Sequence, residues 1–170
     1  MTKGKKIGII IAIILGIGIL IAGVFTKPKT STSNVDPSTY SQTQVQKLNQ
    51  LQELTTNLYK DEETTDIAQL KSQIKQIGGS QDSLFTGMIT DLDSVKSDIG
   101  QDRYTQIKTV LESKVQPSYK QVITDANEIA TNGYDKNPGQ TVENYQNAMR
   151  AISDAENVLA GAQNTNNSQS

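Results

Sequence analysis

The chain has 170 residues, a formal net charge of −2 and no Cys, His or Trp. The lack of Cys excludes disulfides and thiolate chemistry, and the lack of His removes the commonest general base and metal ligand. The 16 basic residues form no basic stripe along the chain. This charge pattern argues against nucleic acid as a partner, because phosphates are bound by clustered Lys and Arg.

The first 25 residues consist of a basic tail and an apolar run. Residues 1–6 contain three lysines, and residues 7–25 read IGIIIAIILGIGILIAGVF without one charged side chain. At about 1.5 Å per helical residue, this run would extend about 28 Å, close to the hydrocarbon core of a bilayer at about 30 Å. We therefore predict a single-pass transmembrane helix over 7–25 that acts as a signal anchor.

A cleaved signal peptide is the competing interpretation of the same segment. Its apolar region usually has about 7–15 residues and ends at a small-x-small cleavage site. The present run is longer, and residues 21–25 (IAGVF) offer no good pair of small residues. Three lysines precede the run and two, Lys27 and Lys29, follow it, which favours a cytoplasmic N-terminus. The domain after the span is then expected outside the cytoplasm, at the cell membrane.

Small residues recur every fourth position in the predicted span, at Gly8, Ala12 and Gly16. Such residues on one helix face allow two membrane helices to approach closely. We interpret this face as a candidate surface for membrane-helix packing, including a homodimer through the span. The alternative is that the spacing has no role, because Gly and Ala are common in membrane helices.

The rest of the chain has the pattern of an all-α domain. Residues 26–35 form a polar linker, and residues 36–162 contain five amphipathic segments whose apolar residues are spaced three and four apart. The helices are predicted over residues 37–60, 65–77, 80–99, 102–131 and 141–162. Short connections favour antiparallel neighbours, so we predict an up-and-down bundle of four to five helices. The tail, 163–170, is rich in Asn, Gln and Ser and is expected to be disordered.

Gly and Pro residues set the predicted helix boundaries. Asp36-Pro37 is expected to begin the first helix, Gly78-Gly79 to stop the second, and Gly100 to end the third. Pro117 predicts a kink or break near Val115. Asn132-Gly133 and the turn Asn137-Pro138-Gly139 are expected to separate the fourth and fifth helices.

Three weak residue patterns resemble catalytic or metal sites. Ser72 and Lys75 match an S-x-x-K motif, but its companion motifs are absent, and both residues are interpreted as part of a solvated face. The acidic residues Asp91, Asp93, Asp98 and Asp102 do not follow a calcium-loop register and are interpreted as outward-facing carboxylates. The oxygen-bearing residues Asp135, Asn137 and Glu143 are interpreted as a turn before a helix.

These observations predict no catalytic residue, no cofactor and no metal site. The function we expect is that of a membrane-anchored, extracytoplasmic helical binding protein with a protein partner at the bacterial cell envelope. The alternative is a prophage-type superinfection exclusion protein, which interferes with phage DNA entry at the membrane. That class is similar only in plan, having one N-terminal span and a small outer domain.

Overall fold

The computed structural model describes residues 36–62 and 66–166. These residues form six α-helices and one π-helical turn, and no strand occurs among them, which confirms the all-α class. The elements are α1 (Tyr40–Asp61), α2 (Ile67–Ser94), α3 (Lys96–Ile99), α4 (Gln101–Val110), the π-helical turn (Leu111–Val115), α5 (Gln116–Asn132) and α6 (Pro138–Asn166). The predicted membrane span and its residues Gly8, Ala12 and Gly16 lie outside the described residues.

The described elements pack as a four-rod bundle, because α4, the π-helical turn and α5 follow one another without interruption as a single rod. Helix α1 packs against α2 and α6, and α5 packs against the same two helices from the other side. Each rod therefore has two main neighbours, and the helical bundle predicted from the apolar spacing is confirmed. Helix α3 is one short turn between α2 and α4.

The core consists of two apolar clusters along the bundle. The lower cluster includes Leu48, Met88 and Leu92, and the upper cluster includes Leu58, Leu70 and Val122. Ile123 and Met149 pack against both clusters. Burial of these side chains stabilises the fold, because each large apolar side chain removed from water contributes about 1.5–3 kcal/mol.

The predicted stop at Gly78-Gly79 is wrong, because α2 continues through both glycines from Ile67 to Ser94. Two glycines in a helix interior lower the stability of the helix by about 2 kcal/mol relative to two alanines. The apolar stripe continues on both sides of them, with Ile77 and Phe85 buried, so tertiary packing outweighs this local preference. Gly78 is itself buried against the side chain of Ile123.

Helix α1 begins at Tyr40, three residues later than predicted. The Asp36 carboxylate accepts hydrogen bonds from the backbone N–H and the hydroxyl of Ser38, at 2.9 and 2.8 Å. These bonds hold residues 36–39 in a turn, and the first helical residue comes after it.

Pro117 does not break the fourth predicted helix. The chain widens into a π-helical turn over Leu111–Val115, in which the Gln116 N–H donates to the Leu111 carbonyl. Proline has no N–H, and in a regular helix its ring would clash with the carbonyl four residues earlier, that of Ser113. The wider turn absorbs this conflict while Leu111, Val115 and Tyr119 stay buried.

The last two helices meet at a glycine turn, as predicted. Gly133 ends α5 in the left-handed conformation with φ 78°, and its N–H donates to the Ile129 carbonyl at 2.8 Å. Helix α6 begins at Pro138, whereas the prediction placed Pro138 and Gly139 in the turn. It ends at Asn166, four residues into the segment that we predicted to be disordered.

Within the part of the chain that is described, no helix is both long enough and apolar enough to span a bilayer.

Replacing Leu92 by aspartate is expected to destabilise the bundle by about 3 kcal/mol or more, because an unpaired charge would occupy a fully buried core position. The control is Ser83→Asp, which introduces the same charge at an exposed position of α2 and should change stability by less than about 0.5 kcal/mol. Urea unfolding of the 34–170 fragment, followed by circular dichroism, measures both values. Equal stability of the two variants would contradict the assigned core.

The same substitution at two glycines should have opposite effects. Gly79→Ala is expected to stabilise the fragment by about 0.5–1 kcal/mol, because Gly79 is helical, exposed and has open space where a Cβ would lie. Gly133→Ala should destabilise it by about 1 kcal/mol, because its φ of 78° is unfavourable for alanine. Thermal unfolding of both variants tests the assignment, and a loss of stability in Gly79→Ala would mean that the helix is interrupted there.

Candidate functional site

A polar cavity of about 170 Å³ opens between the end of α5 and the start of α6. Its position follows from the Gly133 turn, which reverses the chain, and from Asp135, whose carboxylate accepts the Asn137 backbone N–H at 2.8 Å. Ten residues line the cavity: Gln121, Asp125, Glu128, Ile129, Asp135, Lys136, Asn137, Gln140, Thr141 and Asn144. The lining thus has three carboxylates, one ammonium group and four side-chain amides.

Hydrogen bonds between α5 and α6 hold the polar lining in place. The Asp125 carboxylate accepts from the Asn144 amide at 2.8 Å and from the Gln121 amide at 3.1 Å. The Gln140 amide donates to the Asn144 oxygen at 3.0 Å. Asn144 is buried, so its orientation is restricted and Asp125 is fixed with it.

Charge is unevenly distributed around this cavity. None of the ion pairs formed among the described residues involves Asp125, Glu128 or Asp135. Tyr134, in the adjoining loop, is 61% exposed and is the large hydrophobic residue that the described surface leaves open. The lining of the cavity is therefore net negative, and the loop that supplies Asp135 also carries an exposed tyrosine, a residue type enriched at binding hot spots.

A second polar cluster lies inside the bundle, between α1 and α2. The Asp91 carboxylate accepts from the Lys47 ammonium at 2.5 Å and from the Gln44 amide at 2.9 Å. The prediction that Asp91 faces outward is therefore wrong. Its position continues the buried stripe of α2 beside Met88 and Leu92, and the Lys47 ammonium of α1 makes that burial tolerable. Asp93, Asp98 and Asp102 are exposed, as expected.

Two of the three buried tyrosines, Tyr40 and Tyr119, differ in whether the hydroxyl forms a hydrogen bond. The Tyr40 hydroxyl is buried and has no hydrogen-bond partner among the described residues. The Tyr119 hydroxyl donates to the Asp82 carboxylate at 2.9 Å. Burial raises the pKa of Tyr40 above its usual value, and the negative charge of Asp91 adds to this effect. Burial, followed by the hydrogen bond to Asp82, likewise raises the pKa of Tyr119.

The structure brings together few of the residues considered from the sequence. Ser72 and Lys75 are both exposed on α2, in agreement with a solvated face. Asp135 and Asn137 form the expected turn and line the cavity, whereas Glu143 is exposed and outside the lining. No group of three acidic residues in the described part of the chain could hold a metal ion.

Sequence reasoning missed Asp125 and Asn144, which line the cavity and are joined by a hydrogen bond. A signal was present in α6, where Thr141 and Asn144 occupy buried positions before Ala148 and Ala151. Polar residues at buried positions of a helix require partners, so they point to a polar contact with a neighbouring helix. The identity of that neighbour is given only by the packing of α5 on α6.

Comparison with known proteins gives no relative. The chain matches no protein-family profile, no curated protein and no solved structure.

Replacing Tyr40 or Tyr119 by phenylalanine removes only the hydroxyl. The two losses of stability should differ, because the hydroxyl of Tyr119 forms a hydrogen bond and that of Tyr40 does not. Near pH 7, Tyr40→Phe is expected to leave stability unchanged or slightly increased, because the hydroxyl it removes is buried without a partner. Tyr119→Phe should cost about 0.5–1.5 kcal/mol, because it removes the hydrogen bond to Asp82. Urea unfolding measures both values, and a larger loss in Tyr40→Phe would contradict this assignment.

The same variants should alter the response to high pH. An unfolded tyrosine ionises near pH 10, whereas burial keeps Tyr40 and Tyr119 neutral to higher pH. Their contribution to stability is therefore fully present below about pH 10 and is lost as the pH rises further. Each phenylalanine variant should lose less stability than the parent between about pH 9 and pH 11. Identical pH profiles in all three proteins would show that these rings are not buried.

Proposed function

We propose that this chain is a non-enzymatic binding protein, anchored in a bacterial membrane by residues 7–25 and presenting its helical bundle outside the cytoplasm. The Lys-flanked apolar run supports the anchor and its orientation. The observation that carries the binding role is the polar cavity whose lining loop also carries the exposed Tyr134. Its expected partner is a protein of the cell envelope.

The cavity lies at the end of the bundle opposite to the point where the chain enters it. The chain enters the bundle at Tyr40, and α1 then runs 22 residues to Asp61, about 33 Å. The apolar residues near the end of α1 share the upper core cluster with Ile129 and Tyr145, which come from the same end of α5 and α6 as the cavity. The cavity is therefore about one helix length from the point where the chain enters the bundle.

An anchor would increase the effect of a weak contact. Tethering confines the domain to a thin layer beside the membrane and raises its effective concentration toward any partner in that layer. The small cavity and the polar surface would then suffice for function without a large apolar interface. On this proposal the span serves only to hold the domain in place, and the recognition is performed by the bundle.

A photocrosslinking experiment tests both the exposure and the recognition surface. A photoreactive residue at position 134 of the full chain should give a discrete crosslinked product in living cells. The same residue at position 97, which is exposed on α3, should not give that product. Replacing residues 7–25 by an unrelated apolar span should preserve the crosslink, and secreting the domain without its anchor should abolish it.

Several outcomes would contradict the proposal. Equal crosslinking from positions 97 and 134 would mean that the cavity end is not a specific surface. Protection of the domain from protease added to wall-less cells would contradict the proposed orientation.

Phage sensitivity of a deletion strain is the first phenotype to measure, because superinfection exclusion is the alternative expected from the plan of the sequence.

A further inference from the structure

We infer that Asn132 is a site of spontaneous deamidation, a covalent modification that the closed turn after α5 holds back and that opening of this turn releases. Asn132-Gly133 is the one Asn-Gly pair in the sequence. Asn132 is the last residue of α5, and Gly133 is the left-handed residue that ends the helix. The reaction follows from this local chemistry and does not depend on the proposed function.

Deamidation at an Asn-Gly pair needs no enzyme. The backbone nitrogen of Gly133 loses its proton and attacks the side-chain carbonyl carbon (Cγ) of Asn132, forming an N–C bond. The bond from Cγ to the Asn132 amide nitrogen then breaks, and ammonia leaves with the proton that the backbone nitrogen gave up. Water opens the resulting five-membered imide at either carbonyl carbon, so the product is aspartate or isoaspartate. Glycine favours ring closure because it has no Cβ beside the attacking nitrogen.

Two hydrogen bonds of the folded chain oppose this reaction. The Gly133 N–H, which has to be free to lose its proton, donates to the Ile129 carbonyl at 2.8 Å. The Asn132 side-chain amide donates to the Glu128 carbonyl at 2.7 Å, one helical turn earlier along α5. The attacking nitrogen and the group that it attacks are thus each held in a separate contact. The reaction requires both contacts to open.

The end of α5 can open without unfolding of the whole bundle. Gly133 is exposed, Asn132 is half-buried, and residues 133–137 are not helical. The last buried residues of α5 are Ile129 and Ala130, so core packing holds the helix only up to this point. Local opening at a helix end costs less free energy than global unfolding. We therefore expect the opening of this turn to set the rate of deamidation.

The products would alter the turn that follows α5. A carboxylate at position 132 cannot donate to the Glu128 carbonyl, and a negative charge at a helix C-terminus opposes the helix dipole. Isoaspartate also adds one carbon to the backbone directly before Gly133. Such a change would displace Tyr134 and Asp135, which follow in the same turn. If the proposed function is correct, ageing of the protein therefore weakens its recognition surface.

Peptide mapping by mass spectrometry measures the reaction. The full chain in non-ionic detergent and the same chain unfolded in guanidinium chloride are incubated at mildly alkaline pH and digested at intervals. We expect aspartate and isoaspartate at position 132 to accumulate at least about tenfold faster in the unfolded chain, where the Gly133 N–H is free. No product at position 132 in the unfolded chain, or equal rates in both states, would overturn the inference.

Asn137 is a matched control in the same molecule. It is exposed in the turn before α6, but the next residue, Pro138, has no N–H to lose and cannot form the imide. Asn137 should therefore stay unmodified in both states. Modification at positions 132 and 137 to the same extent would show that another reaction is responsible, and would contradict the assignment.

Hydrogen exchange tests whether the local turn controls the rate. The Gly133 amide should exchange more slowly than in an unstructured peptide, by a factor that agrees within about threefold with the slowing of deamidation. This comparison uses the unaltered chain, so it holds even where a variant fails to fold. A Gly133 amide that is not protected from exchange while deamidation is slow would contradict the role of the turn.

Two isoleucine variants separate local from global opening. Ile129→Ala removes packing beside the turn, in the upper core cluster, and should accelerate both exchange and deamidation. Ile107→Ala removes the same atoms from the lower cluster and should accelerate them less. Equal acceleration by the two variants would mean that deamidation follows global unfolding, and would overturn the role of the turn.

The consequence for recognition is measured separately. Asn132→Asp reproduces one product and should lower the midpoint of thermal unfolding by about 2–4 °C and reduce the crosslink from position 134. The control, Asn49→Asp, adds the same charge at an exposed position of α1 and should change neither. An unchanged midpoint and crosslink in Asn132→Asp would overturn the consequence for recognition. Absence of any crosslink from the parent would count against the proposed function and not against deamidation, which is measured on the chain alone.

Discussion

The continuity of α2 is the constraint on which the bundle depends. This helix supplies Leu70, Ile74 and Ile77 to the upper core cluster and Phe85, Met88 and Leu92 to the lower one. It also packs against both α1 and α5. A break at the two glycines in its centre would uncouple the two clusters. The packing of apolar stripes on both sides of the glycines keeps α2 helical through a locally unfavourable sequence.

Polar residues inside the bundle restrict how its helices can be arranged. The buried Gln81 amide donates to the Thr55 hydroxyl at 2.8 Å, and Asp91 accepts from Gln44 and Lys47. Both contacts join α1 to α2, so a shift of one helix along the other would leave buried polar groups without partners. The cost of such a group is about 1–3 kcal/mol. These contacts therefore favour one register, even where apolar packing alone would accept others.

The candidate site at the surface also contains a carboxylate that accepts a hydrogen bond from an amide of a neighbouring helix. Asp125 is held between α5 and α6 by Asn144, much as Asp91 is held between α1 and α2, but it borders a cavity and belongs to none of the ion pairs among the described residues. Inside the bundle, the negative charge of Asp91 is matched by Lys47. This difference is the physical basis for proposing that the cavity end of the bundle recognises a partner.

A good part of the fold could be predicted from local patterns. The spacing of apolar residues correctly indicated an all-helical bundle, and Gly133 and Gly100 ended helices as expected, because both have a positive φ. The predicted stop at Gly78-Gly79 was wrong, because packing kept α2 continuous. Near Pro117 the chain forms a π-helical turn over Leu111–Val115 rather than a break. The exposure of Ser72 and Lys75 was also predictable, because they flank the apolar stripe of α2.

The sequence by itself determined the helical periodicity, the polar character of the domain and the absence of Cys and His chemistry, since these depend on composition and on neighbours along one helix. Only the tertiary structure decided which polar residues are buried and which of them meet. Asp91 and Gln44 are 47 residues apart, and Asp125 and Asn144 are 19 residues apart on different helices. Contacts between helices depend on which faces pack together, and that choice minimises exposed apolar surface over the whole bundle rather than along any one segment.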